Sequence, residues 1–528
     1  MKFIARFLYV PLAGLLVLTS CAKDETESYD KFENQALEAW MTQHRSDLVE
    51  NLQSEGLYYV DLLDAGDLAS DPINTEDIWV SFDFSGRDLS GNIILTRNAD
   101  DAVLAGSFSK YTHYVPFYRY CGSENSGLME GTWLAMRRTL TLGDTYFRNN
   151  KDRLGITSPE VTLRYGSKIR LYMPSSVVGN GVEGTGGYEG QEGYSLSSKR
   201  PFIVTMEIRD TVSNPLEREG TDVDDFCELN GGLQIYSKGD DDTPATEVPE
   251  DPEDPEHPYN ETSKRWVSAC DSIPQVYVNV RYNPAEPRDQ LSFPAPYHVG
   301  YEPYVSEASV RDIDMQIAEA LKKRFHGEGD DYQKYEGVKA LEADSVTLDG
   351  TAKIWYIGRF LDGFIFDTNI DEVKQIIYGE VRKTGSAHSY DMQNPDLITA
   401  FYYIVPHLKY GQWATLVTTS TNAYGTTGKS GGSSTSTSSN GYTSSYYDYL
   451  NYLNYSQMYY GNNGYYGGYY NDYYGYGGLG NYGYYGGYYG GYGGNYDSGE
   501  TVTTTEVYTD IPSFSPLIFQ IYIEPDGE

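Results

Sequence analysis

Between Gly428 and Glu500 runs a tract that no packed core can absorb. It opens GKSGGSSTSTSSNGYTSS, goes on to GYYGGYYNDYYGYGGLGNYGYYGGYYGGYGG, and carries no Lys or Arg after Lys429. Glycine maximises the backbone entropy lost on ordering, and tyrosine with few aliphatic partners offers little apolar burial to offset it. Residues 428–500 are therefore expected to be disordered or loosely stacked. As a function, the tract is either an adhesive surface, since tyrosine binds proteins and glycans through ring and hydroxyl, or a tolerated loop expansion. The second half of the chain is then read as a skeleton with this tract set aside.

The first 21 residues concern address. Lys2 and Arg6 precede the apolar run FLYVPLAGLLVL, which is too short for a comfortable membrane span and ends in small residues before a cysteine. Leu18-Thr19-Ser20-Cys21 resembles a bacterial lipobox, which implies a signal peptide over residues 1–21 and lipidation of Cys21. The acidic AKDETES that follows is similar to the export signals of surface-exposed lipoproteins of the Bacteroidota, which implies an outer-membrane, cell-surface location. With 76 Asp and Glu against 39 Lys and Arg and a net charge of −37, the chain repels phosphate backbones and anionic head groups. Nucleic acid is excluded as a partner, and membrane contact is expected through the lipid anchor alone. Cys121, Cys227 and Cys270 form no close pair, and no Cys/His cluster has metal-ligand spacing, so neither a disulfide framework nor a metal is expected. His113, His388 and His407 are isolated.

Along the chain, Phe32, Ala36, Leu37, Trp40, Met41, Leu48 and Leu52 recur at helical spacing and predict one amphipathic helix from Asp30 to about Ser54. DIWVSFDFSGRDLSGNIIL, KIRLYMP and PFIVTMEI alternate as strands. GDDDTPATEVPEDPEDPEHP, residues 239–258, is Pro-rich and acidic without a large apolar run, and reads as an extended linker. After it come the strand PQVYVNVRY, the helix VRDIDMQIAEALKKRF and a strand-rich region from about Gly337 onward.

Within that region the order is KIWYIGRFLDGFIFDTN, then DLITAFYYIVPHLKYGQWATLVTTSTNAYGTTG, then, beyond the tract, IPSFSPLIFQIYIEP. From about Val346 to Glu524 this resembles the FKBP-type peptidyl-prolyl cis-trans isomerases: a Tyr-x-Gly strand, an Asp-Gly turn, Phe-Asp, a short helix after a Val-Ile-like pair, Gly-Gln-x-Ala, Ala-Tyr-Gly, Ile-Pro and a closing Leu-x-Phe strand. The resemblance implies roles for individual residues. Tyr356 takes the pocket-wall tyrosine, Phe366 and Asp367 the Phe-Asp pair, and Leu397 and Ile398 the pair at the helix start, with the Ile398 amide as the ligand-bonding group. Phe401 stands where the family usually has a floor tryptophan, Tyr424 is the tyrosine whose hydroxyl reaches the ligand carbonyl, Ile511 precedes the loop proline, and Phe519 faces inward from the last strand. GSAHSYDM departs from the family pattern, leaving open which of His388 and Tyr390 faces the pocket.

These residue types suit the chemistry. Rotation about an X-Pro bond meets a barrier of about 18–20 kcal/mol from amide resonance. An apolar aromatic cradle disfavours the charge-separated planar amide, and one shaped to the twisted amide binds that state better than either isomer. No cofactor is needed. Phe366 would supply a wall, while Asp367 would either face the developing amide dipole or hydrogen-bond Tyr356 and fix it.

The first half repeats the skeleton in worn form, with Phe84 for the wall tyrosine, Ile94-Leu95 for Phe-Asp and Val178 for the loop tyrosine. The expected fold is α+β: two FKBP-like domains, each an antiparallel sheet around a short helix, the second interrupted by the 428–500 insertion. Expected boundaries are residues 22–215 for the N-terminal helix and degenerate domain, 216–262 for the linker, 263–330 for a connecting strand and helix, and 331–528 for the isomerase domain. The expected function is isomerisation of X-Pro bonds in proline-containing exported or outer-membrane polypeptides. The alternative is a non-catalytic surface protein that holds protein or glycan partners.

Overall fold

The computed structural model describes residues 29–125, 128–178, 200–234, 266–268, 275–280, 282–285, 293–298, 307–326, 346–347, 350–393, 397–429, 431–438 and 502–524. The signal segment with Cys21, the acidic stretch 239–258, Cys270 and the Gly/Tyr run 439–501 lie outside the described residues. The architecture is α+β and its sheets are built almost wholly from antiparallel pairs. Among the described residues no helix is long and apolar enough to cross a membrane.

The first sheet contains β1 (Tyr59–Ala65), β2 (Ile78–Asp88), β3 (Ile93–Thr96), β4 (Phe117–Cys121), β5 (Ser167–Met173) and β6 (Phe202–Val212). Its order is β1-β5-β6-β2-β3, with β4 also on β2. The second contains β7 (Leu233–Gln234), β8 (Trp266–Ser268), β9 (Val276–Asn279), β10 (Thr351–Phe360), β11 (Ile365–Thr368), β12 (His388–Asp391), β13 (Trp413–Thr418) and, beyond the ribbon described below, a closing strand Leu517–Ile523. Its order is β9-β13-closing strand-β10-β11, with β12 also on β10; β8 and β7 extend the β9 edge, β7 and β8 pairing in parallel. Strand for strand, the first sheet's order recurs in the second.

The closing strand is buried at every position, which is why LIFQIYI is apolar but for Gln520. Leu517, Phe519, Ile521 and Ile523 face the core under a short helix, Thr399–Ile404. Ile518 and Tyr522 face the opposite side, where helices Pro215–Leu229, Glu307–His326 and Asp371–Tyr378 close two further clusters.

Four expectations are corrected. The predicted first helix ends at His44, and a tighter turn, Ser46–Asn51, follows it. Arg45 leaves the helical conformation because its guanidinium is drawn to Asp47 (2.8 Å), to Asp61 on β1 (2.9 Å) and to the Tyr172 hydroxyl (2.6 Å). The expected linker 216–262 begins as the helix Pro215–Leu229, capped by Asn214, whose Val223, Phe226 and Cys227 are buried with Trp266, Tyr282, Val417 and Ile518. The expected connecting segment 263–330 is structural: β9 pairs with β13, and Ile313, Ile317 and Leu321 cover the second sheet. Finally, the insertion is regular at its root, where β14 (Gly432–Ser438) pairs antiparallel with β15 (Val502–Tyr508), so that the closing strand becomes β16. VTTTEVY is rich in the β-branched residues that favour a pleated strand, and Lys429 and Ile511 exchange both backbone hydrogen bonds (2.9 and 2.8 Å) at the base of this ribbon. Cys121 and Cys227 are buried free thiols.

Candidate functional site

The β10–β11 hairpin sets the geometry. Gly358 pairs with Asp367, and the register shifts by a bulge at Arg359. A Cβ on Gly358 would stand 2.5 Å from Cζ of Phe366, so the absence of a side chain lets the Phe366 ring lie flat across the neighbouring strand. Asn369 then straps the hairpin down: its Oδ1 accepts from the Tyr356 amide (2.8 Å) and its Nδ2 donates to the carbonyls of Ile354 (2.9 Å) and Ser386 (3.0 Å). The Tyr356 hydroxyl donates to Asp367 Oδ2 at 2.7 Å. Of the two roles open to Asp367, this is the one that fixes the tyrosine.

Around that pair opens a cavity of about 410 Å³. Of the residues singled out from sequence, Tyr356, Asp367, Leu397, Ile398, Phe401, Tyr424 and Phe519 all line it. Phe366 and Ile511 do not. Phe366 is 4% exposed and packs behind the wall, edge-on to Phe519 (5.8 Å between centroids) and to Tyr424 (6.2 Å). Ile511 is buried in the same core cluster. Both shape the lining from behind rather than touching what enters. Phe401 meets Phe519 edge-on at 5.0 Å, so the pair forms an aromatic floor without a tryptophan. Ile398 caps its helix, with its carbonyl taken by the amides of Phe401 and Tyr402, while its own amide has no acceptor among the described residues. His388 and Tyr390 both line the cavity, as residues two apart on one strand must share a face, and His388 meets Tyr356 edge-on.

Burial pushes the Asp367 carboxyl above the usual carboxylate range, against the opposing effects of the Tyr356 hydrogen bond and the Lys429 charge. Burial, with Asp367 alongside, likewise raises the Tyr356 phenol, and burial raises that of Tyr424, so both remain protonated hydrogen-bond donors.

Several lining residues carry no motif: Asn369, Lys374, Lys383, Lys429 and Tyr508. The one sequence signal for Lys429 is that it is the last cation before the acidic, tyrosine-rich tract. The loop beyond Tyr508 is braced by the first half of the chain. Arg97, 3% exposed, pairs with Asp510 at 2.9 Å, the Thr509 hydroxyl donates to the Tyr111 carbonyl, and Trp79 meets Phe514 edge-on. His113 stacks on Phe360 and bonds Asp362 at 2.7 Å, at the hairpin turn itself.

In the first sheet Gly86 pairs with Leu95 with the same bulge, one residue on, at Arg87, so Leu95 occupies the register position of Asp367. Phe84, Leu95 and Val178 are all buried in one apolar core. No Tyr-Asp pair stands at those positions.

No family model matches the chain, and no curated protein matches it. Among solved structures, it is similar to the three FKBP domains of wheat FKBP73, at 9% identity over 89% of this chain and 95% of that one, with a TM-score of 0.18. FkpA from Escherichia coli matches at 11% identity over 40% and 71% of the two chains (TM-score 0.21), and a peptidyl-prolyl cis-trans isomerase from Pseudomonas syringae at 15% over 36% and 99% (TM-score 0.20). Scores this low establish neither a shared fold nor an activity.

Proposed function

We propose that the chain is a peptidyl-prolyl cis-trans isomerase that acts on X-Pro bonds of exported or outer-membrane polypeptides. In this reading it holds two tandem FKBP-like domains, with turnover in the second and a structural or binding role for the first. The observation that carries the proposal is the lining of the 410 Å³ cavity: an aromatic floor of Phe401 and Phe519, aliphatic Leu397 and Ile398, and two hydrogen-bond donors, the Ile398 amide and Tyr424 hydroxyl, left without partners among the described residues. A proline ring fits the floor, and the carbonyl before it meets the donors. As the C–N bond twists, the amide loses its charge-separated form, a loss that the apolar floor of Phe401 and Phe519 favours relative to water. The Asp367–Tyr356 bond holds one wall still during rotation. The lipobox-like Leu18-Thr19-Ser20-Cys21 supports an outer-membrane lipoprotein exposed at the cell surface.

Exchange-spectroscopy NMR on a short X-Pro peptide with catalytic amounts of the full chain tests this. Faster cis/trans exchange, reduced at least tenfold by Phe401→Ala in a folded variant, is the expected result. A folded chain that binds the peptide without accelerating exchange defeats it in favour of a binding protein.

A further inference from the structure

The charge of the cavity is opposite to that of the chain. Over the whole sequence acids outnumber Lys and Arg by 76 to 39, yet Lys374, Lys383 and Lys429 line this one space, and among the described residues Asp367 is the only carboxylate that does. That carboxylate already accepts from the Tyr356 hydroxyl. The lysines arrive from three separate segments of the chain, and two of them are held there. Lys374 projects from the helix Asp371–Tyr378, its ammonium anchored to the Lys383 carbonyl at 2.9 Å and 3.8 Å from Asp371 Oδ1, a loose pair that leaves room for a closer carboxylate. Lys429 is fixed by its backbone pair with Ile511, and its ammonium lies over the rings of Tyr424 (5.3 Å) and Tyr508 (5.7 Å).

We infer that the segment this cavity accepts carries an acidic residue beside its proline, held by the ammonium groups of Lys374 and Lys429. The inference rests on the proline-peptide reading above and names the substrate class. Long-range repulsion from a chain of net charge −37 does not oppose it at contact, because physiological salt screens exposed charges beyond about 8 Å and leaves the nearest charges to decide. A chain crossing a floor made of Phe401 and Phe519 directs its flanking side chains to the rest of the lining, to which Lys374 and Lys429 belong. Two ammonium groups at partly exposed positions supply a preference of roughly fivefold, on the scale of exposed ion pairs.

The test compares three peptides, Ala-Glu-Pro-Phe, Ala-Leu-Pro-Phe and Ala-Lys-Pro-Phe, with the full chain and with Lys374→Gln/Lys429→Gln. Exchange rates and binding, read from peptide chemical shifts, are measured at low and high salt. The expected result is a roughly fivefold advantage for the Glu peptide over the Leu peptide, the Lys peptide last, with the Glu/Leu ratio falling toward one in the double variant and in high salt. Acceleration of the Leu peptide equal to or above that of the Glu peptide overturns the inference and leaves the isomerase reading standing. If no peptide is accelerated, the isomerase reading falls, and binding alone decides: tighter Glu-peptide binding that the double variant abolishes sustains the charge selection, and equal binding overturns it.

Discussion

Glu219 accepts from both the amide and the hydroxyl of Ser420, the first residue of the turn that leads into Ala423-Tyr424-Gly425. Glu33 does the same for Ser175, at the corresponding turn after β5, at 2.6 and 2.5 Å. Each glutamate is the fifth residue of its helix, Tyr29–His44 and Pro215–Leu229, so the two halves repeat down to a helix-to-turn clasp. Both carboxylates and Ser420 are buried, and Glu219→Ala leaves two Ser420 donors unpaired. A loss of about 1–3 kcal/mol in stability is expected from chemical denaturation, with slower exchange catalysis because Tyr424 loses its support.

The same clasp has a pH signature. Burial pushes the Glu219 carboxyl from its ordinary 4.5 up to about 7. The folded chain thus holds this proton more tightly than the unfolded one, and the stability gained is present below about pH 4.5 and lost as pH rises through about 7. Asp222, pushed up to about 6 by burial, acts in the same sense in any variant that keeps it. Denaturation midpoints measured from pH 4.5 to 8 are expected to fall less steeply in Glu219→Gln than in the parent. Parallel curves would show that Glu219 does not titrate in this window.

Tyr356 and Asp367 act as one unit if the acid serves to hold the wall. Tyr356→Phe leaves the carboxylate without its phenol donor, and Asp367→Ala leaves the phenol without its acceptor, each at about 1–3 kcal/mol of stability. In exchange rates the double variant is then expected to be no slower than the worse single one, the non-additivity of residues that work through each other. Asp367→Asn, which keeps an acceptor oxygen, stays within about threefold of the parent if holding is the role. Additive losses would instead assign Asp367 a direct part in the chemistry.

Much of the site was legible because its motif residues are local. Tyr356, Gly358 and Phe366-Asp367 lie on one hairpin, and alternation with an Asp-Gly turn places them with no knowledge of the rest. The placement of Phe366 is one that no strand pattern contains: its ring falls across Gly358 and packs behind the lining. Nothing local distinguishes Lys374 from a solvated lysine, and Lys429 is marked only by being the last cation before the tyrosine-rich tract. Composition joins Pro215–Leu229 to the acidic stretch downstream because the helix is acidic throughout, with Glu219 and Asp222 buried and Leu216 and Leu229 exposed against the simple pattern. Its apolar stripe of Val223, Phe226 and Cys227 is short, and its meaning depends on Trp266 and Ile518, partners far along the chain.

Gly358 tests the account of Phe366. In Gly358→Ala the new methyl meets the ring at 2.5 Å, and the ring is boxed in by Phe360, Phe519 and Tyr424 at 5.3 to 6.2 Å between centroids. Overpacking of this kind is expected to destabilise by about 1–3 kcal/mol and to shift the aromatic resonances of Tyr424 and Phe519. A variant as stable as the parent, with those resonances unmoved, would mean that the ring has room to leave.

Cutting the chain at residue 331 tests where the second half begins. The fragment 331–528 keeps every motif residue of the site but loses β9, the strand paired with β13, and with it Val276 and Val278, both fully buried. It also loses Trp266, Phe226, Ile313, Ile317 and Leu321, which uncovers Val417, Ile518, Trp413 and Tyr522. A sheet stripped of the cover on one face has too little burial to meet the entropy of ordering. The fragment is therefore expected to bind a hydrophobic dye and to unfold without a cooperative transition, while a fragment starting before Asn214, the cap of the Pro215 helix, regains a sharp one. A sharp transition in 331–528 would make the Pro215–Leu229 helix and β9 additions to a domain that is complete without them, and the Glu219–Ser420 clasp would then be a contact between neighbours instead of part of the repeat.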